Sequence, residues 1–531
     1  MENKQPSDPA SAPAQPHRRR LVLEVFLVFL AFLAIYLITA SDAAWHTDGL
    51  VRMYVARNLL EYGDPILREA EQGEVSATVW AVTGHDGRFY SFYGLGHSLF
   101  IMPGYALANW IEQSIGGIPY IWDEHRFFLG MLAPVLSALV ASSVFATTSL
   151  LGYRRSSALL TAGVVGLATI IWPNARDLQD NLLETSLIMV SIALLVAHHR
   201  FPELKWPPLV AGASFGLAFV TRSSAALAFP GLMLILIMPT LLEERALSQK
   251  LLTAAVLFGL GALLTAWIWP VYNQVRFGDP METGYSQMFL RDAPAPGQPL
   301  LPGLATWLFS PWHGLLIYTP LLLLLPFLAR HFAENRVGLW VLVGGILTLI
   351  SVTLFYSTFR GLGKWTYGPG YLMMGIPWVL VTLVVFFENF KNMMLSVRVL
   401  GTILLGLNVI ATLPGVFLPI GYAALYIGQQ ISLQGGDDLS WIPMIYSPIV
   451  TMGEQSIQAI GNVLSGRAAT FDVIPNSATW LESFVGLNAP DWWWVMIFYR
   501  GFRPIILIPM GLLASVAVTL FFLLRLPEPE S

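Results

Sequence analysis

The chain has 531 residues, of which 55% are hydrophobic and only 12% charged, with a formal net charge of −4 and a mean hydropathy of +0.62. A soluble domain carries about 25% charged residues, so an ordinary soluble fold is excluded, and the slightly acidic balance leaves no footprint for nucleic acid. The absence of cysteine excludes disulfides, thiolate metal sites and a cysteine nucleophile.

The first twenty residues read as a cytoplasmic tail, Pro-, Ala- and Ser-rich to Gln15 and expected to be disordered. Behind Arg18-Arg19-Arg20 comes the apolar run Leu21 to Thr39. It is long and lacks a small-residue cleavage site, so it reads as a retained anchor. The segment 40–126 follows outside. In HTDGLVRMYVARNLLEYGD, Asp48 opens a predicted helix over 48–62. Arg52 lies one turn on, about 40° around the axis and on the same face. Asp48 is a candidate for chemistry at the membrane surface. The plainer reading is that Thr47 or Asp48 caps the helix, and a capping aspartate can still act as a base. The run 95–111 is short and holds His97, Pro103 and Asn109. Counting it as a span would put Arg154-Arg155 outside, against the positive-inside rule. It is therefore expected as a helix on the outer surface.

Further spans are predicted at 127–150, 157–173, 181–198, 208–222, 224–240, 251–271, 313–329, 337–357, 370–387, 396–421 and 503–525. Each is near the ~20 apolar residues that cross a bilayer. Four of the five lysines and most loop arginines then fall on one side, which implies cytoplasmic termini. The fold class is an all-α polytopic membrane protein with about twelve transmembrane helices and outer juxtamembrane helices. Residues 21–421 form the core. The outer loop 422–502, of unassigned role, ends near Asp491-Trp492-Trp493-Trp494, and tryptophans there suggest an interfacial belt. A last span and a short cytoplasmic tail fill 503–531.

A second acidic site lies in WPNARDLQDNLLE, 172–184. Spacings of three and four place Asp177, Asp180 and Glu184 on one helical face. Glu184 falls inside the apolar run, where a carboxylate needs a polar cavity or a partner. The structural reading pairs it with Arg176 or Arg222. Basic residues recur at outer span ends: Arg222, Arg276, Arg360 and Lys364. Singly, each could be an interfacial snorkelling residue. Together with Arg52 and the acidic sites they favour an anionic, phosphate-bearing ligand. No HExxH pair, Walker glycine loop, GxSxG elbow or dinucleotide fingerprint occurs. No cofactor is expected, and no motif indicates a divalent metal.

This pattern resembles the GT-C membrane glycosyltransferases, and within them the bacterial relatives of protein mannosyltransferases and aminoarabinose transferases. HTDGLVRMYVARNLLEYGD resembles the family's aspartate and helix after span one. DGRFYSFYGLGHSLFIMPGYAL resembles its aromatic-glycine-proline segment, and WPNARDLQDNLLE its second acidic loop. GLAFVTRSSAALAFP, YNQVRFGDPMETGY, GLLIYTPLLLLLP and WTYGPGYLMMGIPWVL resemble later blocks. The likeness covers about 45–390. Two departures stand out: Gly49 follows Asp48 where the family often has an acid or an aromatic, and Asn181 follows Asp180 where it often has proline. The second acid could therefore be Asp180, Asp177 or Glu184. The resemblance implies transfer of a sugar from a polyprenyl-phosphate carrier to a hydroxyl of a lipid, glycan or protein acceptor. The site would face the non-cytoplasmic side of a membrane such as the bacterial inner membrane. Asp48 would be the base, and Arg52, Arg222, Arg276, Arg360 and Lys364 would steady the phosphate. The alternative class is a transporter or lipid flippase, which would place charges near mid-membrane in two related halves.

Overall fold

The computed structural model describes residues 14–42, 47–73, 81–119, 121, 123–244, 248–289, 297–359, 366–418, 420, 443–465 and 489–526. The expected disordered tail up to residue 13, most of the loop 422–502, and Arg360 and Lys364 lie outside these residues.

The chain is an all-α polytopic membrane protein. Its principal helices are α1 Ala14–Ile38, α2 Thr47–Glu61, α3 Leu95–Ile115, α4 Leu132–Leu150, α5 Arg155–Leu167, α6 Asp180–Arg200, α7 Trp206–Thr221, α8 Phe229–Glu244, α9 Gln249–Ala266, α10 Ile268–Phe277, α11 Arg336–Ser357, α12 Leu395–Thr412 and α13 Leu507–Arg525. Among the described residues, eight helices are long and apolar enough to cross a membrane. The other four expected spans hold shorter apolar helices, at Arg155–Leu167, Trp206–Thr221, Pro320–Phe332 and Ile376–Glu388.

Of these short helices, Trp206–Thr221 ends at the extended Arg222, and a break in an apolar medium needs polar partners. Buried asparagines supply some of them. Asn408 on α12 gives its amide N–H to the carbonyls of Ala168 and Tyr318, and its oxygen accepts from Leu321 N. Asn181 donates to Gly370 O at 2.9 Å. Elsewhere the helices pack by small residues. At Gly212 a Cβ would collide with the Phe258 carbonyl, and at Gly261 with that of Leu209, so α7 and α9 touch backbone to backbone.

The polar contacts sort into two ends. Near the start of α1, Glu24 pairs with Arg155 at 2.8 Å, and Arg155 also caps α13 through the carbonyls of Leu523 and Leu526. Arg154 pairs with Glu388 at the same end. At the other end of α1, about 22 Å along the axis at 1.5 Å per residue, Thr39 O accepts from Arg176. Arg176 also pairs with Asp491, which accepts from Ser41 at 2.7 Å, while Arg500 binds Asp42 at 2.8 Å. The tryptophans expected as an interfacial belt serve this junction. Trp493 and Trp494 donate to the last carbonyls of α1, at Leu37 and Ile38, and Trp492 donates to Val416 O. Four unpaired carbonyls end every helix, and the indoles satisfy two of those on α1.

Above this end lies the segment from α2 to α3. Buried Glu69 takes Arg57 at 2.9 Å and the Asn58 amide, tying residues 64–71 onto α2. A two-stranded hairpin, β1 Val82–Thr83 and β2 Phe89–Tyr90, precedes α3. α3 is not among the eight spans. It buries one stripe, His97, Ile101, Tyr105 and Ala108, and exposes Leu107, Trp110 and Ile115.

Candidate functional site

The two acidic regions of the sequence converge on one cluster. Asp180 opens α6, and its carboxylate complements the positive end of that helix. Each oxygen takes a different guanidinium: Arg52 reaches Oδ2 and Arg222 reaches Oδ1, both at 2.8 Å. Arg52 comes from α2, where the i, i+4 spacing carries it and Asp48 on one face. Arg222 occupies the extended link after α7, with φ −145° and ψ 127°. That break lets its side chain turn into the protein between two apolar helices.

Arg222 is the hub of the inner half. Its Nη2 donates to Tyr356 Oη at 2.9 Å, its Nε lies 3.5 Å from Glu184 Oε2, and its plane sits 5.0 Å from the Tyr371 ring. Ser224 Oγ donates to Glu184 Oε1 at 2.7 Å. Glu184 therefore takes Arg222, one of its two expected partners, while Arg176 is held by Asp491, Thr39 O and Gly415 O.

The outer half is built on α2. The Arg52 guanidinium lies 4.0 Å from the Tyr93 ring centre, a cation–π distance. The Tyr93 phenol is directed to the Asp48 carboxylate, and Arg52 and Tyr371 also feel its charge. Burial pushes the Tyr93 pKa well up and Asp48 adds to this, so the phenol keeps its proton and can donate. Burial works hardest against the Arg52 charge, but Asp180, Tyr93, Asp48 and Tyr285 together outweigh it and hold that pKa above the ordinary value. Asp48 itself is partly exposed, whereas Arg52, Asp180 and Glu184 are buried. A carboxylate open to an entering hydroxyl, backed by buried charges of both signs, is an arrangement that can take a proton while charge develops nearby.

One expectation needs correction. Asp177 does not share a helical face with Asp180 and Glu184. The chain turns at 175–177 and Gln179 is extended, so α6 starts only at Asp180, and Asp177 accepts from Gln179 Nε2 at 2.6 Å within that turn. Arg276, at the end of α10, directs its donors to protein carbonyls and Asn273. Arg360 and Lys364 lie outside the described residues.

Tyr93, His97, Ser224, Tyr356 and Tyr371 were not among the expected site residues. Ser224 stands two residues from Arg222, and Tyr93 and His97 lie in the aromatic-glycine segment already singled out, so position was the available signal. Tyr356 sits in the last turn of an apolar helix, where nothing distinguished it. His97 is fully buried, and neither ring nitrogen has a hydrogen-bond partner. Among the described residues no group of three His, Asp or Glu is placed to hold a metal ion.

No family model and no curated protein matches the chain. Solved structures do. The oligosaccharyltransferase AglB from Archaeoglobus fulgidus, in complex with an inhibitory peptide and a dolichol-phosphate, is 11% identical with a TM-score of 0.48. That match covers 81% of this chain, which spans 61% of the AglB chain. ArnT from Cupriavidus metallidurans bound to undecaprenyl phosphate is 14% identical, with a TM-score of 0.41, over 95% of this chain and 77% of its own. ArnT in the apo state is also 14% identical, with a TM-score of 0.43.

Proposed function

We propose that the chain is a membrane glycosyltransferase that moves a sugar from a polyprenyl-phosphate carrier to an acceptor hydroxyl, on the outer face. The observation that carries this reading is the convergence of Asp48 and Asp180 on one polar cluster joined by Arg52 and Arg222. The acceptor oxygen attacks the anomeric carbon and forms the new glycosidic bond. Asp48 takes the hydroxyl proton. The bond from the anomeric carbon to the phosphate oxygen breaks, and polyprenyl phosphate leaves with inversion. Arg222 and Arg52 oppose the growing phosphate charge. Asp180 fixes both guanidiniums before the donor arrives, and Glu184 with Ser224 fixes Arg222 from behind. Three carboxylates face two guanidiniums here, so the phosphate calls for further cations, and Arg360 and Lys364 are the candidates. Dolichol-phosphate and undecaprenyl phosphate, bound in the AglB and ArnT structures, belong to this carrier class. A transporter is less well supported, because these charges gather at one end of the helices, not at mid-span.

The test is incubation of purified protein with a panel of polyprenyl-phosphate sugars, measuring release of polyprenyl phosphate. Release from at least one donor is expected. Arg222→Ala should weaken carrier binding by about 1.5–3 kcal/mol, the scale of a charge-assisted contact. No release from any donor, together with no binding of polyprenyl phosphate, would remove the reading.

A further inference from the structure

Arg276 was expected to touch the phosphate, and its surroundings give it another task. The side chain is 2% exposed. Its Nη1 donates to the carbonyls of Ser91 and Tyr93, Nη2 to Asn273 Oδ1 at 2.6 Å, and Nε to Tyr272 O. Its plane lies 3.7 Å from the Tyr272 ring centre. These contacts pin the turn at 91–93 to the end of α10. Within that turn Ser91 Oγ accepts from Tyr93 N at 3.1 Å, and the Phe92 ring lies against that of Tyr93, tilted by 40° with ring centres 4.3 Å apart. Tyr93 is thereby held rigidly, and from outside α2 it meets the two polar groups that this helix gives to the cluster. Its ring supports the Arg52 guanidinium and its hydroxyl addresses the Asp48 carboxylate.

We propose that Tyr93 is the positioning residue that orients Asp48 and Arg52 for transfer, and that Arg276 anchors Tyr93 instead of binding the donor phosphate. The inference rests on Asp48 as the base. A carboxylate on the first turn of a surface helix can rotate freely about its side-chain bonds. A donated phenol hydrogen bond takes one lone-pair direction of the carboxylate and leaves the other oxygen to the acceptor proton. Groups that react must be held this closely by their neighbours, since small misplacements cost large factors in rate.

Tyr93→Phe keeps the ring beneath Arg52 and deletes only the hydroxyl. Losing a hydrogen bond to a charged group corresponds to about tenfold or more in rate. The expected result is a kcat lowered by about tenfold, with donor KM and the unfolding midpoint as in the parent. In an Asp48→Asn background, Tyr93→Phe should cause no further loss, because the two act through one group. Arg276→Gln should lower kcat while the Kd for polyprenyl phosphate stays parental; a phosphate ligand would raise that Kd instead. The proposal is overturned by a parental kcat in Tyr93→Phe, by an equal loss from Tyr93→Phe with and without Asp48, or by a raised Kd in Arg276→Gln. Any of these alongside an inactive Asp48→Asn leaves the base assignment standing. Near-parental transfer by Asp48→Asn overturns both.

Discussion

Asp491→Ala is a stringent test of the junction that closes the C-terminal end of α1. The Asp491 side chain is 0% exposed and that of its partner Arg176 is 3% exposed. The substitution removes this pair and the Ser41 hydrogen bond at 2.7 Å. Removing one member of a buried pair typically costs about 3–5 kcal/mol, because the remaining charge is stranded in a poor solvent. Arg176 is not left bare, since it keeps Thr39 O at 3.0 Å and Gly415 O at 2.9 Å, and Asp42 lies near enough to act on its charge. The lower end, about 3 kcal/mol, is therefore expected. Removing both charges with Arg176→Met and Asp491→Leu should recover most of that loss, because apolar replacement of a buried pair is often close to neutral. The assay is reversible unfolding in mixed micelles, read by tryptophan fluorescence. A loss below about 1 kcal/mol for Asp491→Ala would mean that the pair behaves like a solvated surface bridge, and the junction would have to be held by packing alone.

Two further outcomes follow from the same contacts. Burial pushes the His97 pKa down to about 3, with Arg52 adding to the effect, whereas an unfolded histidine titrates near ~6.5. The unfolded chain binds the proton first, so this contribution to stability is complete above ~6.5 and falls as the pH drops toward 3, by at most about 1.4 kcal/mol per pH unit; the unfolding midpoint of His97→Gln should depend less steeply on pH than the parent's, and equal slopes would contradict this. A single cysteine in place of Ser156, beside the Arg155 that binds Glu24, should stay unlabelled by an impermeant thiol reagent in intact cells, and labelling would reverse the proposed sidedness.

Periodicity and charge made the helices legible, and a helix stands at each of the twelve expected spans. The breaks were less legible, because the partners that permit them are distant in sequence: nothing local marks Asn408 as serving Ala168, Tyr318 and Leu321. Asp48, Arg52, Asp180, Glu184 and Arg222 stood out because a charge beside an apolar run needs a reason. Glu184 with Arg222 was one of two expected pairs, but the joining of Arg52 to Asp180 was not legible, since they are 128 residues apart. Arg276 is the opposite case: an arginine at a span end fits a phosphate ligand or a backbone clamp equally well in sequence, and its contacts with the carbonyls of Ser91 and Tyr93 are what support the proposed clamp. The tryptophans after Asp491 likewise match an interfacial belt in composition, while their indole donors cap a helix end.

Whether Asp48 takes the proton from the acceptor is decided by the single-turnover transfer rate of Asp48→Asn. Asparagine preserves the size of the side chain and can still cap α2, but it cannot accept the proton. Carrier binding and folding should match the parent, while the transfer step falls by about 100-fold or more, the usual scale for losing a general base. A folded Asp48→Asn protein that binds the carrier and transfers at near the parental rate would contradict the account.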